Sequence, residues 1–500
     1  VQRVAIDARA DGKFNMDVFA ENLKEGDEIF AQVKTLKGEK IGPVFKSSVS
    51  IIQDRTSLSQ SFSDPRLWNP ESPNLYTVEV SIKRNNVTQH IYNQRFGFRT
   101  VELKPGDGIY VNYKKIMMKG VNRHSIWPET GRTLNRKIHL QDIALIKDMN
   151  MNSVRMSHYP PDAEFLDLCD SLGLFVLDEL TGWHQSYGTP VGEKLVKELV
   201  IRDVNHPSII LWDNGNEGGW NTNLDDDYKL YDPQNRVVIH PWHNFNKIDT
   251  KHYPDYTYIE KAAQEPDVLL HTEMIHGLYD GGHGASLADN WALMRKNPRH
   301  AGGFLWVLSD EGVVRRDLKD SMDFDGNHAP DGIVGPHREK EGSFYTIKEI
   351  WSPVQIKKPV FDKSFTGKLE IENSYIYTDL SSCKFTWQLV KYALAKEVKT
   401  TNTVIASGKF TQALAPGKTG TMQLPLPTTW NKADALQITA IDQYGRELYT
   451  WTWPIKTQSD VLKSNLSAVK TTASITEKQE GNFYTISNDG IAYKFDSSTG

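Results

Sequence analysis

Two glutamates carry the chemistry that this chain offers. Glu217 closes the run Trp212-Asp213-Asn214-Gly215-Asn216-Glu217, which follows the apolar stretch Ser208-Ile209-Ile210-Leu211. A short stretch of that kind reads as a parallel strand buried on both faces. Glu273 ends a second strand-like run, Val268-Leu269-Leu270-His271-Thr272. In barrel enzymes the reacting groups sit at the C-terminal ends of the strands. Two carboxyls placed there suit the cleavage of a glycosidic bond. One must stay protonated and give its proton to the leaving oxygen; the other must stay ionised and attack the anomeric carbon. The two residues are 273 − 217 = 56 positions apart, so only the fold can bring them together. Without that context a glutamate is more often a solvated surface residue.

The elements that must position them follow from the changing rhythm of the chain. Residues 1–102 alternate apolar and polar residues in short runs, such as Phe14-Met16-Val18 and Tyr76-Val78-Val80-Ile82, which predicts an immunoglobulin-like β-sandwich. From 103 to 357 the pattern becomes strand, helix, strand, helix. Strands are expected at Met117–Val121, Ser153–Ser157, Leu174–Leu180, Ser208–Trp212, Val237–His240, Ile248–Tyr253, Leu269–Thr272 and Gly303–Leu308, with helical runs at Ile138–Met149 and Pro161–Leu172. Eight such strands in about 250 residues fit a (β/α)8 TIM barrel. Alternation returns over 358–458, a second immunoglobulin-like sandwich, and 459–500 reads as a linker and the start of a further β domain. The expected fold class is therefore a multidomain chain with a central (β/α)8 barrel flanked by β-sandwich domains.

Composition narrows the function classes. The 500 residues are 39% hydrophobic and 24% charged with a net charge of −5, which points to neither nucleic acid nor an anionic membrane surface as a partner. No apolar run is long enough to span a membrane. Thirteen Trp and twenty Tyr suit sugar rings, but sandwich and barrel cores use the same residues. Cys169 and Cys383 are far apart, lack ligand-like spacing and read as buried free thiols. Val1 is neither a Met start nor part of a signal peptide, so the chain reads as an internal fragment.

Beyond the two glutamates, a series of motifs resembles the family 2 glycoside hydrolases. In order they are Trp68-Asn69-Pro70, Arg95-Phe96-Gly97-Phe98-Arg99, Gly120-Val121-Asn122-Arg123-His124, Arg155-Met156-Ser157-His158-Tyr159-Pro160, Asp178-Glu179, His206-Pro207-Ser208-Ile209-Ile210-Leu211-Trp212, Asn216-Glu217, Glu273 and Gly302-Gly303-Phe304-Leu305-Trp306. The resemblance covers most of residues 1–457 and leans toward β-galactosidases. It implies Glu217 as acid/base and Glu273 as nucleophile. It also implies Asn216 on the sugar 2-hydroxyl, His124, His158, His276 and Trp306 as sugar contacts, and Tyr253 as a partner of the nucleophile. Trp183 and Trp242 are open to stacking or to packing.

Several points depart from the resemblance. The large β-galactosidases it points to place magnesium ligands shortly after the Asp-Glu of strand three. Here that stretch reads Glu179-Leu180-Thr181-Gly182-Trp183-His184, so no metal site is carried over, although a divalent or monovalent cation stays open as a cofactor. The acidic Asp225-Asp226-Asp227 is a weaker cation candidate than a solvated loop. The family's N-terminal sugar-binding domain is expected to be missing. Arg338 and Lys340 are candidates for holding a sugar carboxylate, and the Gly-rich 277–284 loop for the rim of the site. The resemblance thus implies a retaining exo-β-galactosidase on an oligosaccharide or glycoconjugate. Alternatives are a β-glucuronidase or other β-uronidase, and a non-catalytic carbohydrate-binding protein. Homo-oligomerisation stays open, and export is favoured over the cytoplasm.

Overall fold

The computed structural model describes residues 1–49, 54–277, 283–393, 402–466, 474–488 and 490–499. In the first sandwich a three-stranded sheet (Arg3–Ala8, Lys13–Phe19, Thr56–Ser61) faces a four-stranded one (Lys40–Ser48, Glu28–Thr35, Tyr76–Arg84, Val87–Phe96). Alternation decides which side chains enter: Phe14, Met16 and Val18 from one sheet meet Val78, Val80 and Ile82 from the other. The end of this sandwich grips the barrel. Arg99 donates to the carbonyls of Pro207 and Ile209 at the entrance of the fourth barrel strand and to Gln234. At Gly97 a Cβ would crowd the side chains of Trp68 and Pro207, which accounts for the glycine inside Arg95-Phe96-Gly97-Phe98-Arg99.

The barrel strands are Met118–Arg123, Ser153–Met156, Phe175–Trp183, Ile209–Asn216, Val238–Ile239, Ile248–Asp249, Val268–His276 and His300–Trp306. All pairings are parallel, and the first strand pairs with both the second and the eighth. The fifth and sixth strands are two residues each and do not pair with one another, so the ring is hydrogen-bonded everywhere except between them. A short loop at 240–247 joins them, with no helix between. Every residue of the fourth and seventh strands is buried, the condition that produces their nearly continuous apolar runs. Glu217 follows the fourth strand directly, while Glu273 is inside the seventh, which runs on to His276.

A second sandwich pairs Val354–Ile356, Lys368–Asn373 and Thr419–Gln423 against a four-stranded sheet of Thr403–Phe410, Lys384–Lys391, Ala435–Ile441 and Glu447–Pro454. Trp387, Trp451 and Trp453 fill its core, so part of the tryptophan excess is packing. A meander of Thr476–Glu480, Phe483–Asn488 and Ile491–Asp496 follows. Cys169 and Cys383 are buried and free. No helix among the described residues is long and apolar enough to cross a membrane.

Candidate active site

Close backbone packing aims Glu217. Gly215 has φ +73°, and a Cβ on it, or on Gly182 of the third strand, would run into the carbonyl of Gly219. The chain leaves the strand with Glu217 itself at φ 46°, a left-handed conformation that is uncommon for glutamate and tends to mark functional turns. Its side chain is held on both oxygens. His252 Nδ1 lies 2.9 Å from Oε1, and the Trp183 indole N–H donates to Oε2 at 3.1 Å.

Glu273 is held as firmly. Arg155 Nη1 donates to its Oε1 at 2.9 Å and the Tyr253 hydroxyl to its Oε2 at 2.6 Å. His252 Nδ1 is 3.4 Å from Oε2. One oxygen of Glu217, one of Glu273 and a nitrogen of His252 all lie within 4.8 Å of one another.

Arg155 organises the floor. The guanidinium is fully buried and donates to Asn122 Oδ1 at 3.0 Å, Asp213 Oδ2 at 3.0 Å, Asn216 Oδ1 at 2.7 Å and Glu179, as well as to Glu273. Five of the eight strands are thereby joined through one side chain. Asn216 Oδ1 is used, whereas its buried Nδ2 has no hydrogen-bond partner among the described residues.

Charge follows from these contacts. Burial opposes ionisation of Glu273, but His252, Arg155 and His158 outweigh it and hold the carboxyl below its ordinary range. Burial opposes ionisation of Glu217 too, and its bond with His252 overcomes this and holds it down to about 2. Glu179 moves the other way: burial, with Glu273 adding to it, outweighs Arg155 and pushes it up to about 8.

His124 and His158 form one wall with Trp306. The Trp306 ring stacks on His158 at 5.3 Å and meets His124 edge-on at 5.6 Å. His158 Nδ1 is 3.0 Å from Glu179 Oε1, and His124 Nδ1 is 3.2 Å from the Tyr159 hydroxyl. Asp331 Oδ2 joins Trp306 Nε1 to His276 Nε2, each at 3.0 Å. Burial lowers His124 to about 3 and His158 to about 4. Since these values lie below the unfolded value of about 6.5, the unfolded chain binds more protons between about pH 6.5 and 3, and the stability carried by the neutral rings is lost as pH falls through that window. NMR titration is expected to show both rings still neutral at pH 5.

All eight residues expected from the sequence therefore meet at one end of the barrel. Arg155, Glu179, His252 and Asp331 have no role in the sequence reading. Arg155 had a usable signal, because a charge inside the buried run Ser153-Val154-Arg155-Met156 demands partners. Trp183 is 61% exposed and bonded to Glu217, so it is more than packing. Trp242 is half-exposed. Asp225 accepts from Asn214 Nδ2 and pairs with His240, both at 2.8 Å, and so holds the loop after Glu217. Arg338 and Lys340 do not face the carboxylates. Arg338 is buried on Asp142 and the Ile126 carbonyl, and Lys340 pairs with Asp148. Residues 278–282 of the Gly-rich rim lie outside the described residues.

The triad of Glu217, His252 and Glu273 has ligand-type atoms, but its 2.9 Å contact has the length of a hydrogen bond, with the second carboxylate at 3.4 Å. A second group, Asp167, Asp170 and His206, is taken up by Arg95 at the seam with the first sandwich. A cavity of about 290 Å³ lined by Glu71, Lys119, Lys147 and Arg446 opens at the opposite end of the barrel from the glutamates.

Comparison with known proteins agrees with this architecture. Residues 101–356 match the family model for the TIM barrel domain of glycosyl hydrolases family 2, residues 1–99 match a second model of that family, and residues 369–475 match β-galactosidase domain 4. The chain is 33% identical to a β-galactosidase of Thermoanaerobacterium thermosulfurigenes over 261 residues, 51% of this chain and 33% of that protein. It is 29% identical to a β-galactosidase of Priestia megaterium over 390 residues, 69% of this chain and 37% of that one. The chain thus spans little more than a third of these relatives' length. Among solved structures, a Bifidobacterium dentium β-glucuronidase superposes with a TM-score of 0.59 at 20% identity, covering 70% of this chain and 66% of that one, which speaks to the fold. With its barrel matched over more than half its length and its first sandwich matched as well, the chain belongs to glycosyl hydrolase family 2.

Proposed function

We propose that this chain carries the active site of a retaining exo-glycosidase that removes terminal β-D-galactose from oligosaccharides by double displacement. The observation that carries the reading is the pair of carboxylate oxygens, from Glu217 and Glu273, within 4.8 Å of each other. Retaining enzymes hold their carboxyls about 5–5.5 Å apart, whereas inverting ones leave room for a water. Glu273, kept ionised by Arg155 and Tyr253, attacks the anomeric carbon and forms a glycosyl ester. Glu217 gives its proton to the leaving oxygen, which takes the electron pair of the broken bond. Glu217 then removes a proton from water, and the water oxygen displaces Glu273 with the β configuration restored. In the free site Glu217 is ionised. A sugar seated on the Trp306–His158 wall strips water from it, and that favours the neutral acid. Asn216 Nδ2 is the donor left open for a sugar hydroxyl.

Galactose is supported by the β-galactosidase relatives and by Arg338 and Lys340, whose charges are committed to Asp142 and Asp148 rather than offered to a uronate. The β-glucuronidases among the similar folds keep a uronic acid as the second reading. The test is hydrolysis of p-nitrophenyl β-galactoside and β-glucuronide by the whole protein that carries this chain, with the first-formed anomer read by NMR. Galactoside turnover giving the β sugar is expected. Glucuronide turnover alone would replace the sugar and keep the mechanism, and an α product would overturn the double displacement.

A further inference from the structure

His252 sits between the two carboxylates, and counting hydrogens around it fixes more than its position. The Thr272 hydroxyl lies 3.2 Å from the Thr250 carbonyl oxygen, and we assign its one hydrogen to that carbonyl. Its oxygen then accepts from His252 Nε2–H at 2.9 Å. With a proton fixed on Nε2, a neutral ring would leave Nδ1 bare, facing Glu217 Oε1 at 2.9 Å and Glu273 Oε2 at 3.4 Å. Three acceptors without a proton would repel one another. A proton therefore lies in the Nδ1–Oε1 contact, as imidazolium with carboxylate or as imidazole with carboxylic acid.

We propose that His252 is a positioning residue that holds, jointly with Glu217, the proton later delivered to the leaving oxygen. The inference rests on the acid/base role proposed above for Glu217. On this proposal the free site keeps the proton on the Nδ1 side, because Nδ1 faces two carboxylates. Sugar binding desolvates Glu217, the proton crosses from Nδ1 to Oε1, and it leaves with the departing oxygen as the glycosidic bond breaks. Esterification then removes the Glu273 charge 3.4 Å away. The ring stays neutral, Glu217 stays ionised, and Glu217 can take a proton from water. That proton restores the pair. The other titratable groups acting on the ring are Glu179 and His271, with Arg155 behind Glu273.

The test is His252→Gln in the whole protein, using aryl glycosides of the sugar it turns over. A 2,4-dinitrophenol leaving group needs no proton, whereas phenol does. We expect kcat/KM to fall at least about 30-fold for the phenyl glycoside and less than about 3-fold for the dinitrophenyl one, within the range of general acid catalysis. A proton that can sit on either of two bases is held more tightly than on one. The basic limb of the kcat/KM profile should therefore move to lower pH. Thr272→Val, which removes the acceptor of Nε2–H while keeping the side-chain shape, should move the limb the same way by less and serves if the first variant does not fold. Equal losses on both substrates with an unmoved limb would overturn the proposal. Glu217→Ala separates the two readings: if it shows no leaving-group selectivity, Glu217 is not the acid, whatever His252 does.

Discussion

Glu273→Gln is expected to lower kcat/KM by at least about 10⁴-fold, the scale of loss when the group that forms the covalent intermediate is removed. The amide has the shape of the carboxylate but cannot form the glycosyl ester, and the fold should survive because the amide oxygen can still accept from Arg155 and the amide nitrogen can donate to the Tyr253 hydroxyl oxygen. Thermal unfolding of the variant should accordingly stay close to that of the parent. The two glutamates are told apart by azide. In Glu273→Gly a small anion occupies the vacated face, attacks the anomeric carbon directly and yields the α-azide. In Glu217→Ala the ester still forms on an activated substrate, azide displaces it without a base, and the product is the β-azide. Product NMR reads the outcome directly. The same anomer from both variants would sink the assignment of roles.

The second large effect is at Arg155. Arg155→Met leaves Glu179, Asp213 and Glu273 buried around a vacated charge, and breaking a buried pair from one side costs about 3–5 kcal/mol. The same substitution removes a force that keeps Glu273 ionised. Its pKa rises, so the acid limb of kcat/KM should move to higher pH as well as the activity falling. Arg155→Lys keeps the charge but not the planar fork that reaches acceptors on several strands, and should recover part of the stability and little of the geometry. Urea midpoints and pH profiles of the two variants separate the effects. Lost stability with an unmoved acid limb would make Arg155 a tie between strands and nothing more.

Much of the fold was legible because its signals are local. The sandwiches announce themselves by alternation, as in Phe14-Met16-Val18, and the barrel by buried runs such as Ser208–Leu211 set between helical stretches. The fifth and sixth strands were hardest to bound. Each is two residues long and held by one neighbour, too little for a periodic pattern to form. Glu273 reads as the end of a strand only if hydropathy alone is followed; the backbone pairing continues to His276.

The sequence by itself determined that a barrel strand ends at Glu217, that Glu273 follows on a later strand, and that His124, His158 and Trp306 fall at other strand ends. Strand period and burial are written in neighbouring residues, and the barrel then converts strand ends into one rim. Only the tertiary structure decided what those side chains are bonded to. It joined Arg155 to acceptors from Asn122 to Glu273, put His252 between two glutamates, and turned Arg338 inward onto Asp142. A buried charge or ring nitrogen is satisfied by whatever the fold brings within about 3 Å, and that distance depends on how remote strands are packed, for which no local run of residues carries a pattern.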